Sequence, residues 1–370
     1  MIPVNIPLIT DEDRDSVNKA LVDGWISGDG PVVQEFETTV ASQVGRSHAV
    51  AVSNGSDAIE LALRVLDLQP GDEVILPSFT IISCLSPILR AGLVPVFVDA
   101  DPDTWNMRTD LLEQAISEKT KAILVVHIYG LATDMNQVSS IATKHDLFVI
   151  EDSAEAQGLY FKDRPCGSFG DVSTFSFYAN KNVTTGEGGM VLTDDGELAQ
   201  KLRYFRNLTF LESRRFVHED IGWNMRLSSL QAALGTSQTK RIEQSVTRRR
   251  QIADSYRSGL GDVKGIRFQA DEFGGHRNGY WVVGLLLENH ARFSNAREAM
   301  DALSQAGIGT RPFFYPLHRQ PLIGSYPHRV IGGGSVAENL GENGFYLPNG
   351  LGMSEAQLEQ AVSISREVLG

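Results

Sequence analysis

From Ala49 onward, short apolar runs alternate with mixed apolar and polar stretches, and turn residues separate them. Ala49 to Val52, Glu73 to Leu76, Val94 to Val98, Lys121 to His127 and Leu147 to Ile150 read as strands. The continuous apolar run Ala122-Ile-Leu-Val-Val126 suits a parallel sheet covered on both faces. Between the strands, Ala58 to Leu68, Thr80 to Arg90 (with Pro87 inside it), Leu111 to Ile116 and Gln137 to His145 read as helices. Met190 to Thr193 adds a strand and Gly196 to Phe205 a helix, and a long helical region runs from Ser228 to about Leu260. This alternation predicts a doubly wound α/β domain with a mostly parallel sheet, whose ligands sit beyond the carboxyl ends of the strands. Past Gly261 the rhythm changes to Tyr280–Leu287 (strand), Asn295–Ala306 (helix), Ile308–Pro312 (extended) and Glu355–Leu369 (helix). The expected division is a large α/β domain over residues 1–245 and a small α+β domain over 246–370.

Ahead of the alternation, Thr10 caps a first helix with Asp11, Glu12 and Asp13 in its opening turn, where carboxylates complement the helix dipole. The loop Gly24-Trp-Ile-Ser-Gly-Asp-Gly-Pro31 follows, either a connector or a flap carrying Trp25 and Ser27 to a site. Chemistry concentrates elsewhere. Ser173-Thr-Phe-Ser-Phe-Tyr-Ala-Asn-Lys181 reads as a strand and turn that deliver one lysine, followed by a loop with Gly186, Gly188 and Gly189. A lysine so placed can be partly desolvated and act as a neutral, nucleophilic amine toward a carbonyl. Ser53-Asn-Gly-Ser-Asp57 opens a buried helix, and the N–H groups of Gly55 and Ser56 make an anion site there. Asp152 ends a strand at the ligand edge. An aldehyde that needs a lysine, a phosphate that needs a helix start with Ser56 and Ser176, and a pyridine nitrogen that needs a carboxylate together describe pyridoxal phosphate.

The net charge of −13 disfavours non-specific binding to nucleic acid or an anionic membrane and leaves room for a local basic pocket that takes a phosphorylated small molecule. No apolar run reaches membrane-spanning length, and Met1–Pro7 has no basic stretch leading into an apolar one, so a cytoplasmic protein is expected. Cys84 and Cys166 have no metal-like spacing and read as inert thiols, so no metal is expected. Arg248-Arg-Arg250 reads as a solvated helix face.

Val52-Ser-Asn-Gly-Ser56, Pro70–Pro77, Val126-His-Ile-Tyr-Gly130, Ile150–Gly158, Thr185-Gly-Glu-Gly-Gly189 and Gly222-Trp-Asn-Met-Arg226 resemble the DegT/StrS-type nucleotide-sugar aminotransferases. The resemblance implies the aspartate-aminotransferase-like fold (fold type I). It also implies a homodimer with shared sites, a nucleotide-sugar substrate and L-glutamate as amino donor. Carried onto this chain, it makes Lys181 the cofactor-bearing lysine and acid/base, sets Asp152 on the pyridine nitrogen and puts Gly55, Ser56 and Ser176 on the phosphate. Asn224 reaches the neighbouring subunit's phosphate, and Glu155 takes the place, often Gln in the family, beside the ring's 3-hydroxyl. Ile81 stands where many members carry a stacking aromatic. Tyr178–Gly186, Arg206-Asn-Leu with Arg214–His218, and Gly309–His318 resemble the subgroup that aminates C4 of GDP-4-keto-6-deoxymannose. That comparison places Arg311 and His318 near the sugar nucleotide, and Trp25, Ser27 and His127 join them as substrate-binding candidates. Amination of another 4-keto or 3-keto nucleotide sugar remains open. A dehydratase is disfavoured because dehydrating relatives typically carry His in place of Lys181, and a cofactor-binding sensor is disfavoured by the complete set of Lys181, Asp152 and Ser176.

Overall fold

The computed structural model describes residues 1–370, the side chain of Glu212 apart. Helix α1 (Asp11–Val22) begins at Thr10, whose hydroxyl accepts the Asp13 N–H while the Asp13 carboxylate accepts the Thr10 N–H. This reciprocal cap satisfies two donors that a helix start leaves open. α2 (Pro31–Val44) ends on Gly45 at φ +77°, the left-handed stop that glycine favours. The large α/β unit continues with β1 (His48–Val52), α3 (Gly55–Val65), β2 (Glu73–Pro77), β3 (Val94–Val98), β4 (Thr120–Val126), α4 (Met135–His145) and β5 (Phe148–Asp152). β6 (Val172–Ser176), β7 (Gly189–Thr193), α5 (Gly196–Arg206), α6 (Ser229–Thr239) and α7 (Ile242–Leu260) follow. The C-terminal part contributes β8 (Ile266–Phe268), β9 (Val283–Leu287), α8 (Ala296–Gln305), β10 (Arg311–Pro312), β11 (Arg329–Ile331), α9 (Ser335–Asn343), β12 (Gly344–Leu347) and α10 (Glu355–Leu369).

The large sheet has eight strands in the order β1-β7-β6-β5-β4-β2-β3-β11; β7 runs antiparallel to both neighbours and the other pairings are parallel. Alternation along each strand separates two cores. Val74, Leu76, Phe97, Leu124, Val126 and Ile150 pack on the α3 side, whereas Ile75, Val96, Val98, Ile123, Val125 and Val149 pack on the α4 side. Because β1, β2, β4, β5 and β6 share one direction, Val52, Pro77, Val126, Asp152 and Ser176 arrive at one edge. Gly189, the first residue of antiparallel β7, pairs with both Val52 and Ser176 there. A second, antiparallel sheet of order β8-β9-β12-β10 packs with α8 and α10 around its own core. Among the described residues, no helix is long and apolar enough to cross a membrane.

Three expectations need correction. Thr80 to Arg90 is not one helix: Ile82–Cys84 is a 3-10 turn and Ser86–Arg90 a separate short helix opening on Pro87, because proline lacks the N–H that an uninterrupted helix needs. The region from Ser228 breaks at Lys240–Arg241 into α6 and α7. Nor does the chain divide cleanly between 245 and 246. Ile242 and Val246 of α7 belong to the large unit's cores and Ile252, Tyr256 and Leu260 to the small unit's core, while β11 returns to pair with β3 of the large sheet.

Candidate active site

Lys181 sits on the turn after β6, its N–H bonded to Tyr178 O (2.9 Å). The turn is pinned from beneath by Gln157, whose Nε2 donates to Ser176 O (2.8 Å) and whose Oε1 accepts the Val183 N–H (2.8 Å). The lysine is buried, and its Nζ rests 3.6 Å from the centroid of the Trp281 ring, an attractive contact for a cation. Burial pushes its amine below the ordinary value, Glu155 and Asp152 pull it up, and Arg249 lowers it further. The result favours an amine that is neutral more often than a surface lysine.

Asp152 closes β5. Its Oδ1 accepts the Ala154 N–H (3.0 Å) and the Thr174 hydroxyl (3.4 Å), while its Oδ2 has the Cys84 thiol at 3.5 Å. Burial raises its pKa, with the Ala154 N–H and Lys181 opposing. Burial and the carboxylate together hold Cys84 as a thiol. A buried carboxylate oxygen whose partner is only a thiol, a weak donor, fits a site that receives a protonated ring nitrogen. Glu155 accepts the Tyr129 N–H at Oε2 (2.7 Å), and burial pushes its carboxyl up to about 7 against the pull of Lys181. Tyr129 aims that N–H from a left-handed backbone, φ +59°, where aromatic side chains are rarely found.

The phosphate end is equally constrained. Asn54 caps α3 through its Oδ1 and the Asp57 N–H (2.9 Å), leaving the Gly55 and Ser56 N–H groups without helical acceptors. Ser56 Oγ lies 2.7 Å from Ser83 Oγ. Gly55 packs on Ser176 so closely that a Cβ would stand 2.7 Å from the serine's, and a Cβ at Gly189 would stand 2.3 Å from Asn54 O. The glycines thus let three backbone segments close around one concavity.

The substrate candidates fare unevenly. Arg311 is exposed on β10, opposite Tyr346 of β12, and the Tyr346 ring lies 6.3 Å from that of Tyr129, at the rim of the same site. His127 is fully buried, its Nε2 on Glu151 Oε1 (2.9 Å) and its Nδ1 on the Thr133 N–H (3.1 Å), so neither ring nitrogen is open to a substrate here. His318 likewise has both ring nitrogens engaged, Nδ1 with Ser78 Oγ and Nε2 with Glu338 Oε1 (3.1 Å), and ties the C-terminal part to the loop after β2. Trp25 packs on Gly30 and lines a cleft between α1, α2 and α6, and Ser27 O accepts the Ser229 N–H (2.8 Å); none of these partners touches Lys181. Asn224 is exposed and bridges Asn207. Ile81 is also exposed. Trp281, Tyr129, Cys84, Gln157 and Arg249 are site residues that sequence reading missed. For Arg249 a signal existed: it falls on the helical stripe of Ile242, Val246, Ile252 and Tyr256.

A desolvated lysine, an underpartnered acidic strand end and an open helix start, on this sheet, meet the demands of one aldehyde cofactor, and the class they define is the fold-type-I pyridoxal-phosphate enzymes. The DegT/DnrJ/EryC1/StrS aminotransferase family matches residues 7–365. The chain is 39% identical over 359 residues to the GDP-perosamine synthase of Escherichia coli O157:H7, covering 96% of this chain and 95% of that protein. The aminotransferase TlmJ from Streptoalloteichus hindustanus superposes with a TM-score of 0.92 at 30% identity, covering 100% of this chain and 99% of its own. An E. coli GDP-4-keto-6-deoxy-D-mannose-3-dehydratase with bound hydrated PLP superposes at 0.91 with 25% identity, covering 100% and 99%. The chain belongs to the DegT/DnrJ/EryC1/StrS aminotransferase family, and its cofactor is pyridoxal phosphate.

Proposed function

We propose that this aminotransferase moves the amino group of L-glutamate to C4 of GDP-4-keto-6-deoxymannose, giving GDP-perosamine. The observation that carries the reading is the 39% identity to a GDP-perosamine synthase along nearly the whole of both chains, joined to a buried lysine where a dehydratase typically has none. When bound, pyridoxal phosphate supplies an electron sink that stabilises negative charge on the carbon being deprotonated.

The chain's own residues do the rest. Lys181 Nζ, kept partly neutral by burial, takes the proton from Cα of glutamate and delivers it on the other side of the C–N bond; water then cleaves that bond, so that 2-oxoglutarate leaves and the amino group stays in the site. In the second half it runs the same transfer in reverse at C4 of the sugar. Asp152 would hold a positive ring nitrogen, Glu155 would serve the ring hydroxyl, and Gly55, Ser56 and Ser176 would hold the phosphate. Arg311, beside Tyr346 at the rim, meets the sugar nucleotide. The working unit in this reading is a cytoplasmic homodimer. Phe216 and Ile221 are 79% and 85% exposed close to Asn224 in the chain, an apolar surface that association would cover. Asn224 then serves the second copy's phosphate site, and Trp25 and Ser27 that copy's sugar site.

The test is the visible band of the purified protein. Bleaching by glutamate followed by recovery on GDP-4-keto-6-deoxymannose, with the 4-amino sugar as product, supports both halves. Recovery only with a different keto sugar overturns the acceptor. Turnover surviving in Lys181→Ala overturns the role given to the lysine.

A further inference from the structure

Arg249, midway along α7, is only 2% exposed. Its Nε donates to Asn182 Oδ1 (3.2 Å), its Nη2 to Asn180 O (2.7 Å) and its Nη1 to Asn349 O. All three acceptors are neutral, and two belong to the residues on either side of Lys181. Asn349 in turn donates to Tyr280 O (2.7 Å) and Trp281 O (3.3 Å). The Trp281 indole N–H closes the circuit on Asn180 O (3.1 Å). One guanidinium therefore holds the lysine's turn and, through Asn349, the tryptophan on which the amine rests.

Such a residue is expensive. A buried cation without a carboxylate bears a desolvation cost that hydrogen bonds to neutral oxygens offset only in part. The stripe it occupies would accept a leucine without that cost.

We propose that Arg249 is the positioning residue of Lys181: it fixes the turn through Asn180 and Asn182 and sets a positive charge behind the lysine that adds to burial in favouring the neutral, nucleophilic amine. Burial pushes its own pKa down to about 9, so it stays charged at neutral pH. The other titratable groups facing Lys181 are Asp152 at the end of β5, Glu155 just beyond it and Cys84 in the turn after β2, and they act in the opposite sense. Arg249 is the cation that balances them. The inference rests on Lys181 being the cofactor-bearing lysine.

The experiment follows the visible band of the holoenzyme against pH, and the rate at which the band re-forms when pyridoxal phosphate is returned to stripped protein. Removing a positive charge makes it easier to hold a proton on the lysine nitrogen, so Arg249→Met should raise the band's titration midpoint by about one pH unit. Arg249→Lys keeps the charge but cannot bridge three acceptors; it should leave the midpoint in place and slow band formation about tenfold. An unchanged midpoint in Arg249→Met, or a wild-type rate in Arg249→Lys, overturns the proposal. Should Arg249→Met not fold, the lysine variant decides alone. Lys181→Ala separates the two layers of argument. A band surviving there refutes the lysine assignment itself, whereas its loss, with Arg249 variants like wild type, refutes only the role of Arg249.

Discussion

Glu155→Gln offers the sharpest reading of the site's electrostatics. In the folded, cofactor-free chain burial raises this carboxyl from an ordinary 4.5 to about 7. Between those values the folded state keeps a proton that the unfolded chain has released, so stability falls as pH rises. The contribution is complete below about pH 4.5 and lost once pH has risen through about 7. Moving one carboxyl that far corresponds to about 3 kcal/mol. Glutamine is neutral throughout and can still accept the Tyr129 N–H through its Oε1, so the variant should lack this slope. Urea unfolding of both cofactor-free proteins from pH 5 to 8 checks it, since contributions from groups that do not feel Glu155 cancel in the difference and Lys181 and Asp152, which do, add only a smaller correction. The glutamine variant should gain steadily on the wild type, reaching about 3 kcal/mol at pH 8. Parallel pH profiles would refute the reasoning, as would a variant less stable than wild type at pH 8.

Two further outcomes follow from geometry. Gly189→Ala puts a methyl 2.3 Å from Asn54 O and 2.9 Å from Gly55 N, against backbone, so the α3 start must shift; cofactor affinity should fall about tenfold or more, by absorbance titration, with circular dichroism unchanged. His127→Gln removes a partner of buried Glu151 and should cost about 1–3 kcal/mol of stability, while the KM for the keto sugar, measured well below the melting temperature, stays near wild type; a large rise in KM would restore His127 to the substrate site.

The framework was legible because its determinants are local. Buried parallel strands are apolar without interruption, so β4 and β5 showed in the sequence to within a residue or two, and Thr10 announced α1 by its own side chain and the acids behind it. Lys181, Asp152 and Gly55 could be placed because strand ends of one direction must share an edge. What occupies the two histidine rings could not be read, because a ring's availability depends on partners far along the chain: Glu151 for His127 and, at a separation of 240 residues, Ser78 for His318. Trp281 is 100 residues from Lys181, and nothing near either announces the other. Arg249 is the different case. Composition, three consecutive arginines, argued for solvent, whereas periodicity along α7 argued for the core, and periodicity was the better guide because burial follows the angle at which a helix presents a residue.

What sets the site apart from the rest of the chain is that its exceptions to ordinary folding rules converge. Several helices elsewhere follow the ordinary rule of a side-chain cap, as at Ser228 and Ser354. Around Lys181 there stand an aromatic residue at φ +59°, two carboxyls raised by burial and, among the described residues, a buried arginine without a carboxylate and a buried Asn180 Oδ1 with no partner. Each opposes folding, and none would persist unless the surrounding structure over-determined it. That structure is the continuous sheet beneath and α7 spanning both units, one end in the large core and the other in the small. A strut shared in this way carries Arg249 to the lysine turn with little freedom to relax. Lys181 thus owes its reactivity to rigidity imposed from outside its own loop, which is why a buried helix residue 68 positions later in the chain is where we expect its chemistry to be most sensitive.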